Sequence, residues 1–373
     1  MFYKKCRDFG MGQTRNNQPR AVTKQKILDR IRELLAAGQT TFPSERELAM
    51  RTGGSRSVIR EILEELEQES RLVRTPHGRS INPETNRIPV LFVARGRNMI
   101  DNPTWARLWL ALVNLAKGTP LAPELQLMRY WPEELEEDYQ ELSRRDAKYI
   151  ILTNTRNLEP QIREWMEKKE KNIIFADEAY QHYGLPVVSL DNTRVGELAA
   201  EELFRNGFRS PALLTQDFSD HWYSPYLKRL QGFAAKCAEL GMDYREERDC
   251  HRVFFEKGRL QSYIHQTEKI AEEKRYDSLF LTSDDQLPLV LEVLHDQMRF
   301  IPGELGMITL NSQNKALTGN TRVTAISSAT TEIATTLSDL ILAHADGRIR
   351  EIPSKLIIPT IHKGETLCLR KEK

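Results

Sequence analysis

The chain has 373 residues, a length typical of two or three domains, and 40% of its residues are hydrophobic while 29% are charged. This composition excludes a wholly disordered chain, and no stretch approaches the roughly eighteen consecutive apolar residues that span a bilayer. The net charge of +1 is unevenly divided, because residues 1–87 hold 17 Lys and Arg against 11 Asp and Glu, whereas 88–373 hold 37 against 42. A basic N-terminal segment therefore precedes a mildly acidic body.

The N-terminal residues 1–22 lack hydrophobic periodicity and carry several basic side chains, which predicts a flexible basic arm. They also lack the apolar core of a signal peptide, so we expect a cytoplasmic protein that does not contact a membrane. The four cysteines are scattered without a C-x-x-C pair. This spacing favours neither a disulfide framework nor a zinc site, and we expect no metal and no cofactor.

Three helices are predicted after the arm. The first runs from Thr23 to Ala37, where apolar residues fall at helical spacing, and ends at Gly38. Ser44 and Glu47 have the spacing of a capping box that opens a short second helix. Ser55 is placed to cap the third helix. The apolar face of that third helix consists of Val58, Ile59, Ile62, Leu63 and Leu66.

A small β-hairpin is predicted from Leu72 to Ile81, after the third helix. Three helices and a hairpin within residues 23–81 form the layout of a winged helix-turn-helix, whose third helix enters the major groove of double-stranded DNA. Arginine at the start of that helix can donate two hydrogen bonds to guanine. The alternative is an amphipathic helix with solvated arginines. The residues expected to face the bases are Ser55, Arg56, Ser57 and Arg60.

Three motifs in this segment closely resemble the DNA-binding domain of the GntR family. They are P-S-E-R-E-L-A from Pro43, S-R-S-V-I-R-E-I-L from Ser55 and H-G-R from His77. The resemblance implies that His77 and Gly78, at the tip of the wing, reach the minor groove. It also implies contacts to DNA from Arg46, Ser55, Arg56, Ser57 and Arg60 on the second and third helices.

Residues 82–87 are polar and turn-rich and are predicted to be a short linker to a body over 88–373. In the body, near-continuous apolar runs alternate with amphipathic stretches, a pattern typical of a parallel sheet covered by helices on both faces. The pattern restarts at Pro211, which predicts an α/β fold with two doubly wound lobes. We expect the first lobe at about 88–206 and 325–346, and the second at about 207–324 and 347–373.

Ligands of such sheets bind at the carboxyl ends of the strands, so the residues that follow the strands are candidates for a cleft site. Sugars need planar hydrogen-bonding groups and aromatic faces, and two loops supply both. Asp191 also follows a strand, but it is equally consistent with an N-cap of the next helix. The candidates from the two loops are Asn98, Asp101 and Trp105 in the first and Asp217, His221, Trp222 and Tyr223 in the second.

The body also resembles the effector-binding domain of the LacI/GalR repressors, on segments that run from Val187 to Ser210, Lys228 to Gly241, Tyr276 to Asp285 and Ile301 to Asn311. The resemblance implies a two-lobed, periplasmic-binding-protein-like fold of type I that binds a small effector and dimerises. By the same resemblance, Arg229, Asp284, Asn311 and either Phe254 or Phe255 contact the effector. The arrangement of head and body is similar to that of the arabinose repressors.

These patterns predict a homodimeric transcriptional repressor of carbohydrate-utilisation genes, whose affinity for operator DNA is controlled by a small sugar-like effector. An activator or co-repressor with a non-sugar effector would use the same residues. A sugar-active enzyme with a nucleic-acid-binding head is less favoured, because no nucleophile or metal motif is present. We therefore predict no catalytic residues. The acidic run at Glu134, Glu136, Glu137 and Asp138 is interpreted as a solvated helix face.

Overall fold

The computed structural model describes residues 14–95, 103–129, 135–145, 147–153, 159–168, 171–177, 183–217, 225–254, 259–283, 287–310 and 322–367. The chain divides into two compact units. Unit 1 comprises Met1–Val90, Val113–Glu124 and Ser338–Ile352, and unit 2 comprises Leu91–Leu112, Leu125–Leu337 and Pro353–Lys373. Among the described residues, no helix is both long and apolar enough to cross a membrane.

The N-terminal head, residues 14–81 of unit 1, contains three helices and three short strands. The capping box of the second helix is present, since Ser44 accepts from the backbone of Glu47 and the Glu47 carboxylate accepts from the backbone of Ser44. Gly53 ends that helix in the left-handed conformation that glycine adopts without steric cost. The elements are α1 Thr14–Ala36, β1 Thr41–Phe42, α2 Glu45–Thr52, α3 Arg56–Gln68, β2 Leu72–Thr75 and β3 Gly78–Ile81.

The wing is a three-stranded antiparallel sheet in the order β1-β3-β2. The predicted hairpin of β2 and β3 is present, with Thr75 opposite Gly78 at its turn. Strand β1 is not anticipated by the sequence, because two residues are too few to show alternation. One apolar core joins helices and wing, and it includes Ile27, Ile31, Leu48, Ile59, Ile62, Leu63, Leu66, Leu72 and Ile81.

Two segments of unit 1 are more ordered than the sequence indicates. Residues 14–22 of the expected arm form the first turns of α1, and Arg20 and Lys24 both donate to the carboxylate of Glu65 on α3. The expected linker is a folded turn, in which buried Asn86 donates to two backbone carbonyls and accepts from Arg71. Residues 1–13 lie outside the described part of the chain.

An ion pair within unit 1 joins the head to the C-terminal end of a body helix. Arg32 on α1 contacts the carboxylate of Asp346, whose side chain is 1% exposed. Arg348 also pairs with Asp346, at 3.1 Å. The carboxylate is therefore shared by two guanidinium groups, as a buried charge requires.

The body contains a four-stranded sheet in the order β5-β4-β6-β7. Its strands are β4 Ile88–Arg95, β5 Leu121–Met128, β6 Tyr149–Leu152 and β7 Asn172–Phe175. A parallel bridge between Phe175 and Val187 continues this sheet towards the parallel pair of β8 Val188–Leu190 and β14 Lys355–Ile357.

A second sheet of the body has six strands in the order β10-β9-β11-β12-β13-β15. All adjacent pairs are parallel except β13 with β15. The α/β fold predicted from the sequence is confirmed. The strands are β9 Pro211–Gln216, β10 Cys250–Val253, β11 Ser278–Leu281, β12 Gly306–Leu310, β13 Thr324–Ile326 and β15 Ile361–His362.

Helices accompany these strands, and two of them, α7 Asn192–Arg205 and α8 Pro225–Glu239, cross at very short range. A Cβ atom added to Gly196 on α7 would lie 2.0 Å from the carbonyl oxygen of Arg229 on α8. A Cβ at Gly232 on α8 would lie 2.1 Å from the carbonyl oxygen of Thr193. The helices are α4 Pro103–Ala116, α5 Leu135–Arg144, α6 Glu159–Lys168, α7 Asn192–Arg205, α8 Pro225–Glu239, α9 Glu246–Asp249, α10 Arg259–Glu272, α11 Leu287–Asp296 and α12 Thr330–Ala345.

The structure differs from the expected lobe boundaries at three elements. Helix α7 contacts β12 and β13 of the six-stranded sheet, although the sequence assigns it to the first lobe. Strand β13 lies in that same sheet, whereas β14 pairs with β8. Strand β14 pairs with β8 although more than a hundred residues separate them, and local patterns do not reveal such a pairing.

One carboxylate of the acidic run, that of Asp138, is buried, although the sequence predicts a solvated helix face. Asp138 is buried on α5, and its carboxylate accepts from both the backbone and the side chain of Arg129. Glu137 is exposed, as a solvated face requires, and Glu134 and Glu136 are outside the described side chains. The interpretation as a fully solvated face is therefore wrong for Asp138.

Candidate functional site

The N-terminal turn of α3 is an exposed polar surface of the head. Ser55, Arg56, Ser57 and Arg60 are all exposed there. The Ser55 hydroxyl accepts from the backbone of Val58 at 3.4 Å and lies 3.0 Å from the Ser57 hydroxyl. Ser55 is thus both the helix cap and the first side chain of this surface, and the side chains of Arg56 and Ser57 that follow it are exposed.

The other candidates of the head, Arg46 on α2 and His77 and Gly78 at the turn between β2 and β3, are also exposed. Gly78 has a φ of +129°, a conformation that glycine adopts and other residues rarely do. Within the described part of the chain, neither Arg46 nor Arg56 forms an ion pair or a side-chain hydrogen bond. The guanidinium groups of Arg46 on α2 and Arg56 on α3 therefore remain available to an anionic partner.

Sequence reasoning missed two glutamates, Glu45 and Glu67, that accept hydrogen bonds from arginines of the head. Glu45 accepts from Arg60 and from Arg79, each at 3.3 Å. Glu67 accepts from Arg79 at 2.5 Å and from Arg74 at 2.8 Å. Glu45 adjoins Arg46 in the P-S-E-R motif and Arg79 ends the H-G-R motif, but no sequence pattern indicates that the two motifs meet.

The arginines lower the pKa values of both glutamates. Burial by itself raises the pKa of Glu45, but hydrogen bonds and charge from Arg60 and Arg79 outweigh it and hold the pKa below 4.5. Burial likewise raises the pKa of Glu67, and Arg79 and Arg74 more than compensate. Both carboxylates are therefore ionised at neutral pH.

A second candidate site lies at the carboxyl ends of the parallel strands in the six-stranded sheet. Arg229 on α8 donates from Nε to Oδ1 of buried Asn192 at 2.9 Å and from Nη1 to the carbonyl oxygen of Thr282, also at 2.9 Å. Its guanidinium group lies 4.8 Å from the centre of the Tyr226 ring. Arg229 therefore connects helices α7 and α8 to the end of β11.

Other described residues line the same edge of the sheet. Asp217 follows β9, and its Oδ1 lies 4.0 Å from Nη1 of Arg252. Ser283 follows Thr282 after β11. Phe254 follows β10 and is 62% exposed, an unusual exposure for a large aromatic side chain. The edge thus combines charged, hydroxyl and aromatic groups, the set that binds a polyol with apolar C–H faces.

The structure describes only part of the sequence-predicted effector set. Trp105 is half-buried in the first turn of α4. Asp191 caps α7, since its carboxylate accepts from the backbone of Arg194, and Asn192, which sequence reasoning missed, is the residue that binds Arg229. The other candidates, Asn98, Asp101, His221, Trp222, Tyr223, Phe255, Asp284 and Asn311, lie outside the described residues.

Neither site provides a set of metal ligands within the described ranges, since these hold no group of three His, Cys, Asp or Glu side chains that could bind an ion. His251 is half-buried, and its ring nitrogens lie 3.1 Å from the Tyr276 hydroxyl and 3.4 Å from Gln266. Burial lowers the pKa of His251, despite the opposing effects of Gln266 and Asp249. The side chain is therefore neutral at pH 7 and belongs to the packing of the second sheet.

Family models match three parts of the chain, of which the last two overlap. Residues 20–81 match bacterial regulatory proteins of the gntR family. Residues 99–252 match periplasmic binding proteins and the sugar-binding domain of the LacI family, and 200–367 match a periplasmic binding protein-like domain. The two resemblances predicted from the sequence are confirmed. A search of curated proteins returned no match.

Solved structures with the same fold include several regulators. A LacI-family regulator from Enterococcus faecium with bound ribose is 17% identical, with a TM-score of 0.62 over 76% of this chain and 100% of that one. The CelR–cellobiose complex is 16% identical, with a TM-score of 0.60 over 94% of this chain and 98% of that one. The repressor ascG of Escherichia coli is 16% identical, with a TM-score of 0.60 over 76% and 99%. At these identities the likeness is one of fold.

Proposed function

Because the chain joins a gntR-type helix-turn-helix head to a periplasmic-binding-protein-like body of the LacI type, we propose that it is an effector-controlled transcriptional repressor of carbohydrate-utilisation genes. The head binds operator DNA and the body binds a small sugar-like molecule between its lobes. The protein acts in the cytoplasm, without a metal, a cofactor or a catalytic residue.

The observation that carries the proposal is the exposed N-terminal turn of α3. Arg56 there is exposed and forms no ion pair among the described residues, while Ser55, Ser57 and Arg60 lie on the same turns. An arginine at the start of a helix in the major groove makes the commonest base-specific contact, two hydrogen bonds to guanine. Arg46 and the wing residues His77 and Gly78 supply further contacts, to phosphates and to the minor groove.

The regulator works as a homodimer in this proposal. A two-fold symmetric protein presents two recognition helices to two half-sites about one helical turn of DNA apart, so its operator is pseudo-palindromic. Effector binding closes the cleft, changes the relative placement of the two heads and weakens their joint fit to the operator. The coupling is then between two sites through two global states.

The carboxyl edge of the six-stranded sheet supports a polar, uncharged or weakly charged effector. Arg229 and Ser283 supply hydrogen-bonding groups, and Phe254 supplies an exposed aromatic face. Trp105 contributes from the first lobe, and Asn98, Asp101, Trp222, Tyr223, Phe255, Asp284 and Asn311 complete the proposed set. A non-sugar effector, or an effector that promotes DNA binding, would use the same edge.

Two measurements on the full chain test the proposal. The protein is first used to select duplexes from a pool with about 30 randomised base pairs, a length that spans two half-sites. It is then screened by thermal shift against mono- and disaccharides that include ribose and cellobiose, because a ligand of the folded state raises the midpoint. We expect one enriched pseudo-palindrome and a sugar that weakens its binding.

Three results would contradict parts of the proposal. Failure to enrich any sequence would refute specific DNA binding. A sugar that raises the thermal midpoint without altering affinity for the selected duplex would refute regulation by that sugar. Chemical conversion of the sugar during incubation would favour an enzyme with a nucleic-acid-binding head.

A further inference from the structure

Three arginines and two glutamates form one network across the DNA-facing side of the head, which we call the wing network: Glu45, Arg60, Glu67, Arg74 and Arg79. Its centre is Arg79 on β3, which donates to Glu45 at the start of α2 and to Glu67 near the end of α3. Each glutamate also holds one peripheral arginine. The network therefore connects the wing, the second helix and the recognition helix.

Burial separates the members of the wing network into two kinds. The side chains of Arg79 and Glu67 are 15% and 17% exposed, and that of Glu45 is 25% exposed. The side chains of Arg60 and Arg74 are 61% and 68% exposed. The first three thus form an internal bridge, while the two outer guanidinium groups remain accessible to phosphate oxygens.

Charge alone argues that these glutamates should weaken DNA binding, because a carboxylate near the phosphate backbone repels it. Their placement counters this effect. Arg79 directly follows Gly78, and through it the bridge fixes the wing tip relative to α3. Glu45 in addition restrains Arg60, one of the expected DNA contacts, in a single direction. A side chain already held in place loses less entropy on binding.

We infer that Glu45 and Glu67 are positioning residues for sequence recognition: by holding Arg79 between α2 and α3, they set the place of the wing tip and of Arg60 against the DNA. The inference rests on the proposed DNA-binding function and adds to it residues that do not themselves contact DNA. It predicts that loss of a negative charge here reduces specific binding, the opposite of the electrostatic expectation.

The test compares Glu67→Gln with a matched control, Glu64→Gln. Glu64 is an exposed glutamate on the same helix, outside the wing network, so both variants remove one negative charge from α3. Affinity is measured for the duplex selected by the wild-type protein and for a scrambled duplex of the same length, over a series of salt concentrations. Unfolding curves establish that each variant is folded at the temperature used.

We expect Glu67→Gln to lose about tenfold in affinity for the selected duplex, comparable to one mismatched base pair. Its affinity for the scrambled duplex should be unchanged or higher. The specificity ratio, which is the affinity for the selected duplex divided by the affinity for the scrambled duplex, should therefore fall. Glu64→Gln should bind both duplexes equally well or more tightly. Two further variants should show intermediate losses of affinity for the selected duplex. Glu67→Asp keeps the charge, and Glu45→Gln frees Arg60 and one side of Arg79.

An unchanged or higher specificity ratio in folded Glu67→Gln would overturn the inference. If Glu67→Gln does not fold, Glu67→Asp and Glu45→Gln decide by the same ratio, and an unchanged ratio in either overturns it. A merely structural role would lower the midpoint of unfolding and leave the ratio intact. Failure of the wild-type protein to select any duplex is a separate result, which refutes the proposed function and the inference with it.

Discussion

The head and the body build their candidate sites in opposite ways. In the head, the proposed DNA contacts lie between Arg46 and Gly78, and short-range features such as the Ser44 capping box and the β2–β3 turn place them. In the body, Asn192, Arg229 and Thr282 meet although 90 residues of chain separate the first from the last. Variants of the two sites should therefore differ in whether they affect stability, DNA binding or the effector response, and three substitutions test this difference.

The largest effect is expected from Gly232→Ala in the body. Its new Cβ would lie 2.1 Å from the backbone oxygen of Thr193, so α7 and α8 must separate and Arg229 moves with them. We expect a loss of about 3 kcal/mol in the free energy of unfolding, measured with urea. Gly303→Ala is the control, since no atom lies within 4 Å of its added Cβ. Equal stability of the two variants would contradict the described helix crossing.

Arg56→Ala should be the strongest single change in the head. Loss of a two-hydrogen-bond contact to a base is expected to weaken binding to the selected duplex by about 10- to 100-fold. The free energy of unfolding should not change, because the side chain is exposed and unpaired among the described residues. Arg87→Ala removes the same charge from another exposed position of unit 1. Similar losses in both variants would show that only net charge matters.

Arg229→Ala should affect the effector response while DNA binding is preserved. The substitution leaves Asn192 and the Thr282 carbonyl without their partner and removes a group from the proposed pocket. We expect about a tenfold weaker response to the sugar found by thermal shift, with unchanged affinity for the selected duplex in its absence. Exposed Arg163 provides the control substitution, Arg163→Ala. A normal sugar response in Arg229→Ala would exclude a role for this arginine.

The smallest effect concerns pH. Burial lowers the pKa of His251 below its ordinary value of 6.5, so the unfolded chain takes up a proton that the folded body does not. This contribution to stability is complete above pH 6.5 and is lost as the pH falls below it. The carboxylates of Glu45 and Glu67 have lowered pKa values, and their contributions are lost only as the pH falls below 4.5.

Urea unfolding at pH 7.5 and pH 5.5 measures the contribution of His251. We expect the wild-type protein to be less stable at pH 5.5 and His251→Gln to show a smaller difference between the two values. His295→Gln is the control, because the side chain of His295 is 75% exposed. An identical pH dependence in wild type and His251→Gln would show that another group is responsible.

Much of the head could be predicted from its sequence, because its signals are local. Ser44 and Ser55 cap the helices at which their motifs place them, and the hairpin is the one predicted. The alternating apolar runs of the body likewise indicate its parallel strands. Helix α1 is longer than predicted, since its first turns are stabilised by pairs between Arg20, Lys24 and Glu65 across the three-helix core.

Most helices and strands, and their order, can be predicted from the sequence, because capping, turn geometry and hydrophobic period act within a few residues. Strand β1 and the first turns of α1 are exceptions. The folded chain is needed to see which distant groups meet: Arg79 with Glu45 and Glu67, Arg229 with Asn192, and β14 with β8. It also buried Asp138 against Arg129 within a run that looks solvated. The physical reason is that ion pairs, close helix crossings and strand pairing depend on distances in space, which sequence separation does not encode.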